Sequence, residues 1–301
     1  MKKKLSHLYI ILCLFFFLII SVNISHANIY YQNNLKDTTH SLISRKTLIK
    51  SCLLAHSAFT IYVEYKWWWE GDYHPFRHKY EGIFNNYSLG VDKLGHFYIS
   101  YLYFHSLNSL MKWGGYNESS SLWISSLLPA IYATSVEIGD GFSSYQFSFD
   151  DLGSNLLGIG YGLLQEKHPF FKNINFKWSY YPTKSFSKEN NNHFTVTDDY
   201  DGHIYWMSFN VHNLLPEKIN KYWPEFLNFA IGYGGENISK DALYIPKRKF
   251  AIGLDYNLSG IHLNGKLWNT FVGVFKYIHF PAPGFRIIEG EPAKFKPLLT
   301  K

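Results

Sequence analysis

Cysteine is nearly absent from this chain, with two residues in 301, Cys13 and Cys52. Cys13 lies in an apolar leader, so only Cys52 remains after export, and an intramolecular disulfide is excluded even in an oxidising compartment. Cys52 sits in the run SCLLAHSAF and reads as a small buried hydrophobe. Charge is also scarce, at 17% of residues, and Asp, Glu, Lys and Arg are missing altogether from residues 94–111 and 119–136. No dense Lys/Arg stripe exists, and the aromatic residues keep apolar neighbours, which excludes a nucleic-acid partner. Several catalytic signatures are missing too: HExxH, a repeated E-x-x-H, a nucleophile elbow, a P-loop and a dinucleotide fingerprint. The runs GIGYG and GYGG fit helix packing and strand bends better than phosphate cradles. No internal repeat or extended low-complexity segment interrupts the chain.

What is present begins with a leader. MKKKLSHLYIILCLFFFLIISVNISHA has a lysine-rich start, a long apolar centre and a small-residue close at Ser25-His26-Ala27. That is the form of a signal peptide over residues 1–27, cleaved near Ala27; an uncleaved membrane anchor is the alternative. Cys13 lacks the small residues of a lipobox before it, so no lipid anchor is expected. Loss of Lys2, Lys3 and Lys4 halves the net charge of +6, so much of the basicity belongs to targeting. Aromatic residues make up 19% of the chain, which points to an extensive core or to a membrane interface, where Trp and Tyr gather.

Beyond the leader the texture divides the chain. Residues 28–43 read as an extended lead-in, and 44–168 as an antiparallel bundle of about four helices. The first helix, 44–68, is capped by Ser44 and ends in Trp67-Trp68-Trp69-Glu70. A long loop follows over 71–90, with Pro75, His74 and His78; surface imidazoles are the simpler reading of the two histidines. The next helices run from Asp92 to Lys112, from residue 119 to Gly141 across Pro129, and from Ser148 to Lys167. The charge-free runs fall short of a membrane span and carry His105, Asn108 and many Ser, which favours a soluble or membrane-surface bundle. From 169 to 301 short aromatic and β-branched segments alternate with Pro, Gly, Asn and Asp, the pattern of antiparallel strands, with one further short helix at 267–276. The fold class expected is therefore α+β, with the β-rich region packed on the helices.

Polar residues concentrate at the ends of the apolar helices. VDKLGHF supplies Asp92, Lys93 and His96; VEIGDG supplies Glu137 and Asp140; SFDDLGSNLLG supplies Ser148, Asp151 and Asn155. Spacings of three and four place each pair on one helix face. Short connections make consecutive helices antiparallel, which brings all three clusters to one end. Glu64 is a further contributor to that end, although an exposed carboxylate near a helix terminus is its simpler reading. Some of these residues have purely structural explanations: Ser148 and Asp151 fit a capping box, Gly141 fits a left-handed helix stop, and Asp92 fits a cap. Lys93, His96, Glu137 and Asn155 do not, and buried charge needs a partner or a metal. One reading is a paired network in which Lys93 or protonated His96 neutralises Glu137 and Asp151. Another is a divalent metal, Zn, Mn or another such ion, held by His96, Glu137, Asp140 and Asp151. A hydrolase built on either would use His96 or Glu137 as base and Lys93 or the metal to stabilise negative charge.

The series DKLGHF, EIGDGF and S-x-x-D-x-x-x-N-x-x-G resembles the YfiM-like family of predicted periplasmic lipoproteins, a bacterial family of unknown function. DYDGHIYWMSFN, FLNFAIGYGGEN and FPAPG are similar to its longer members from Bacteroidetes-type genomes, so the resemblance runs from about residue 67 to 285. A weaker likeness links DK-x-x-H, Glu and D-x-x-x-N-x-x-G to the VanZ-like membrane proteins. The resemblance implies residence in the periplasm or the outer-membrane-associated envelope and supplies no reaction. Two functions stand: a non-catalytic structural or binding protein of the envelope, and an envelope hydrolase acting on a lipid or glycan. The partner expected is a membrane surface or an envelope component.

Overall fold

A computed structural model describes residues 38–183, 196–238, 245–263 and 265–300. The leader at 1–27 lies outside the described residues, as does most of the lead-in. Helix α1 spans Thr38–Glu64. It begins before the expected cap at Ser44, because Thr-Thr-His-Ser offers no Gly or Pro to break it. A wide π turn, Tyr65–Trp69, ends it, with the Glu70 N–H donating to the Tyr65 carbonyl at 2.7 Å. Helix α2 is Val91–Trp113 and stops at Gly114-Gly115, where Gly115 takes φ 77°. Helix α3 is Glu118–Gly141, capped by Asn117, whose side chain accepts the Ser120 N–H at 2.8 Å; it continues through Pro129. Helix α4 is Phe149–Lys167 and ends before Pro169. Two short strands, β1 (His78–Lys79) and β2 (Phe147–Ser148), pair in parallel.

The chain forms two compact units that interleave along the sequence. One takes the described residues up to Glu81 together with Ile99–Leu163; the other takes Gly82–Tyr98 and everything from Leu164 onward. In the helical unit, Ile49 of α1 packs with Leu107, Leu110 and Met111 of α2, and Phe104 packs with Leu122 and Ile159. Gly162 admits the Phe104 ring, which a Cβ there would strike. Ile49 and Val63, two heptads apart, mark the buried line of α1. Cys52 lies off that line and is exposed, so its burial, expected from apolar neighbours, is corrected. Much of the outer surface of this unit is apolar, while Ser121, Ser125, Asn108 and Asn155 are inside.

The second unit is built on six antiparallel strands that pair in chain order: β3 (Ile174–Tyr180), β4 (His203–Phe209), β5 (Leu227–Glu236), β6 (Lys247–Tyr256), β7 (Ala282–Ile288) and β8 (Lys294–Leu299). Short helices α5 (Val211–Leu214) and α6 (Glu217–Asn220) fill the β4–β5 connection, and α7 (Lys266–Phe275) the β6–β7 connection. The architecture is α+β, helices first and an antiparallel sheet after.

This sheet has polar groups on its buried face and apolar ones outside. Lys177 of β3 reaches Asp255 of β6 at 2.6 Å, and both are almost wholly buried. In a flat sheet, strands three places apart lie about 14 Å from each other. The sheet is therefore curled, with these side chains on its concave face. Ser208 donates to the same carboxylate at 2.6 Å, and Asn228 donates to Ser208. Trp206 lies on that face, stacked on His279 at 3.7 Å. On the convex face Met207, Ile231, Ile252, Phe285 and Phe295 sit opposite one another across five successive strands, and all are exposed.

Candidate polar site

The expected site residues fall in both units. Glu137, Asp140, Ser148, Asp151 and Asn155 belong to the helical unit; Asp92, Lys93 and His96 belong to the sheet-bearing unit, at the start of α2. Lys93, Glu137, Ser148, Asp151 and Asn155 are buried, and Asp92, His96 and Asp140 are half-buried.

Within the helical unit the polar groups are tied to loops and helix ends. Ser148 precedes α4, and its Oγ accepts the Asp151 N–H at 3.2 Å, the first half of a capping box. The reciprocal half comes from elsewhere: the Ser148 N–H donates to Glu137 Oε2 at 2.9 Å. Glu137 of α3 thus acts as the acid of a cap on the following helix, which gives a reason for its burial. Its neighbour Asp140 accepts the Trp69 indole N–H at 2.8 Å. Gly139 lets the Trp69 ring lie against α3, and Gly141 does the same for Phe76. Gly141 is the last residue of α3 without a left-handed conformation; its role is this close approach, which corrects the expected helix stop.

The 71–90 loop is fastened by the same elements. Arg77 and His74 donate backbone N–H groups to Gly141 and Phe142, each at 2.8 Å, and Asp150 accepts the Glu81 N–H at 2.8 Å. The side chains of His74 and His78 are exposed. Deeper in, Asn155 Oδ1 accepts the Ser100 hydroxyl at 2.7 Å. Glu64 is buried and accepts the Tyr132 hydroxyl, so the reading of an exposed carboxylate is overturned. The close of α1 in a π turn beside α3 removes it from water.

In the other unit α2 is capped from upstream rather than by Asp92. Asn86 Oδ1 accepts the N–H groups of Ser88 and Gly90, and Ser88 Oγ accepts the Asp92 N–H at 3.2 Å. The Asp92 carboxylate is thereby left for side chains: Lys93 Nζ at 3.0 Å, the Tyr200 hydroxyl at 3.3 Å and His96 Nε2 at 3.7 Å. Gly95 faces Tyr205, whose hydroxyl would stand 3.0 Å from a Cβ at that position. The glycine of DKLGHF therefore admits a tyrosine from β4. Sequence reasoning missed Tyr200, Ser100 and Asp150. Only Asp150 carried a signal, as the first Asp of SFDDLG.

Chemically, the arrangement offers carboxylates that accept backbone, indole and phenol donors, and one imidazole beside a carboxylate. It belongs to an α+β protein whose apolar helices are joined at polar, glycine-marked ends. Residues 80–167, which contain all three motifs, match the model of a family described as predicted periplasmic lipoprotein (DUF2279), over less than a third of the chain. Neither a curated protein nor a solved structure matches. The protein is exported and resides in the periplasm or the outer-membrane-associated envelope.

Proposed function

We propose that the protein is a non-catalytic, membrane-associated component of the cell envelope, in which the polar clusters set helix ends and loops. The observation that carries this reading is the bond from Ser148 N–H to Glu137. A buried carboxylate that completes the cap of the next helix has a structural use without substrate or metal. Asp140 with Trp69 and Asp150 with Glu81 support the same reading. The membrane is the partner favoured by the exposed aromatic residues of the 70–81 loop, Tyr73, Phe76 and Tyr80.

Elemental analysis and melting of the purified protein, alongside His96→Ala and Glu137→Gln, test the first part. The expected result is no stoichiometric metal and variants altered in melting temperature alone. A divalent ion bound one to one in the natural chain and lost from His96→Ala would replace this reading with that of a metal-dependent hydrolase. Co-flotation with phospholipid vesicles tests the second part, and a protein that stays with the soluble fraction overturns membrane association.

A further inference from the structure

We infer that the helical unit is inserted in the hydrocarbon of a lipid bilayer, with the outward faces of α1, α3 and α4 against acyl chains. The inference rests on membrane association and adds depth and orientation to it.

The outside of the unit is what water does not favour. On α3, Trp123, Leu127 and Ile131 follow one face and are 51–64% exposed; Leu54 of α1 is 73% exposed and Leu157 of α4 66%. Isolated apolar side chains on a surface need no explanation, but here they lie on stretches without any charge. Residues 51–63 of α1, 119–136 of α3 and 152–165 of α4 contain no Asp, Glu, Lys or Arg. A helical surface in water ordinarily alternates such residues with charged ones.

Among its apolar core residues the unit also buries hydroxyl and amide side chains, as helices that meet within a membrane do. Ser121 and Ser125 are fully buried in α3, and Ser125 donates to the Ser121 carbonyl at 2.6 Å. Asn155 and Ser100 join α4 to α2. Small and hydroxyl residues between the helices, with further Leu and Ile turned outward, fit a unit surrounded by lipid.

The two ends identify lipid, rather than a protein partner, as what covers this surface. At one end the π turn of α1, the start of α4 and the loops that follow the π turn and α3 carry exposed rings, among them Tyr65, Tyr73, Phe142, Tyr145 and Phe149. At the other, Arg45 lies over the Trp113 ring at 5.3 Å and Lys46 over Tyr116 at 5.2 Å, with Lys112 beside them in sequence. Aromatic residues at both ends and basic residues at one are the marks of two membrane interfaces. Between them the charge-free part of α3 is about 27 Å long at the helical rise, close to the roughly 30 Å of bilayer hydrocarbon. Glu118–Gly141 is, among the described residues, the one helix long and apolar enough to cross a membrane by length and composition.

Cys52, exposed in the charge-free stretch of α1, provides the test. The full chain carrying Cys13→Ser is labelled at Cys52 with an environment-sensitive fluorophore and reconstituted in vesicles of phosphatidylethanolamine and phosphatidylglycerol. Spin labels at several acyl-chain depths are expected to quench the dye at least threefold more than aqueous iodide does, and carbonate is expected not to release the protein. Quenching by iodide alone, with the protein still floating with the vesicles, overturns insertion and leaves surface association standing. Failure to float overturns both. Leu127→Arg serves as a second variant: insertion predicts weaker acyl-chain quenching and carbonate release. Unchanged partition and quenching in a folded Leu127→Arg protein would count against lipid contact on that face of α3.

Discussion

Glu137 Oε2 accepts the backbone N–H of Ser148 at 2.9 Å, joining the end of one helix to the cap of the next. A buried hydrogen bond to a charged acceptor contributes about 1.5–3 kcal/mol, and its loss leaves a buried donor unsatisfied. Glu137→Ala is therefore expected to destabilise the protein by about 2–3 kcal/mol. Glu137→Gln, which keeps a carbonyl acceptor, should lose roughly half as much. Denaturant unfolding of the two variants measures the difference, and equal stability of Glu137→Ala and the natural chain would remove the structural role given to this residue.

The glycines of α3 and α4 should respond in opposite directions. A Cβ on Gly139 runs into the Trp69 ring, which is held by its bond to Asp140, so Gly139→Ala is expected to destabilise by about 1–3 kcal/mol. Gly153 and Gly160 of α4 have open space at the Cβ position, and Ala there should stabilise by about 0.5–1 kcal/mol. Melting of the three single variants decides the matter by sign alone.

His279 gives the sheet unit an acid limit. Burial, outweighing the attraction of Asp255 at 3.9 Å, holds its pKa at about 4, below the ordinary 6.5. The unfolded chain thus binds a proton between pH 6.5 and 4 that the folded chain refuses. Stability from this group is complete above pH 6.5 and is lost as pH falls toward 4, by up to about 3 kcal/mol. In His279→Gln that part of the pH dependence should vanish. Unfolding free energies at pH 7.5 and 4.5 provide the comparison, and an unchanged slope in the variant would contradict it.

Lys177 and Asp255 pair on the concave face at 2.6 Å, out of reach of water. Removing one partner strands the other, so Lys177→Met or Asp255→Leu alone is expected to cost about 3–5 kcal/mol. The double variant should be far less damaged than the sum, because no uncompensated charge remains. A double-mutant cycle followed by unfolding tests this, and additive losses would mean that the two charges act independently.

Much of the architecture was legible in the residues. Charge-free runs that end in small polar clusters marked α2 and α3, and the spacing of Ser148 to Asp151 marked the α4 cap. Aromatic segments between Pro and Gly marked the strands. Less visible was what Glu137 does, since its partner is a backbone N–H, and every residue but proline has one. Burial of Glu64 was hidden for a related reason: the π turn that covers it has no composition of its own. In the sheet, turn residues marked where strands begin and end, but they do not say which face is inside. Lys177, Ser208, Lys249 and Asp255, residue types that are mostly exposed in folded proteins, line the concave face.

The order of pairing in the sheet, each strand beside its neighbour in sequence, has a consequence for how the chain assembles. Every hairpin can close as soon as its second strand is at hand, without waiting for a distant partner. Assembly can then follow the direction of the chain, and the newest strand always presents the edge on which the next one docks.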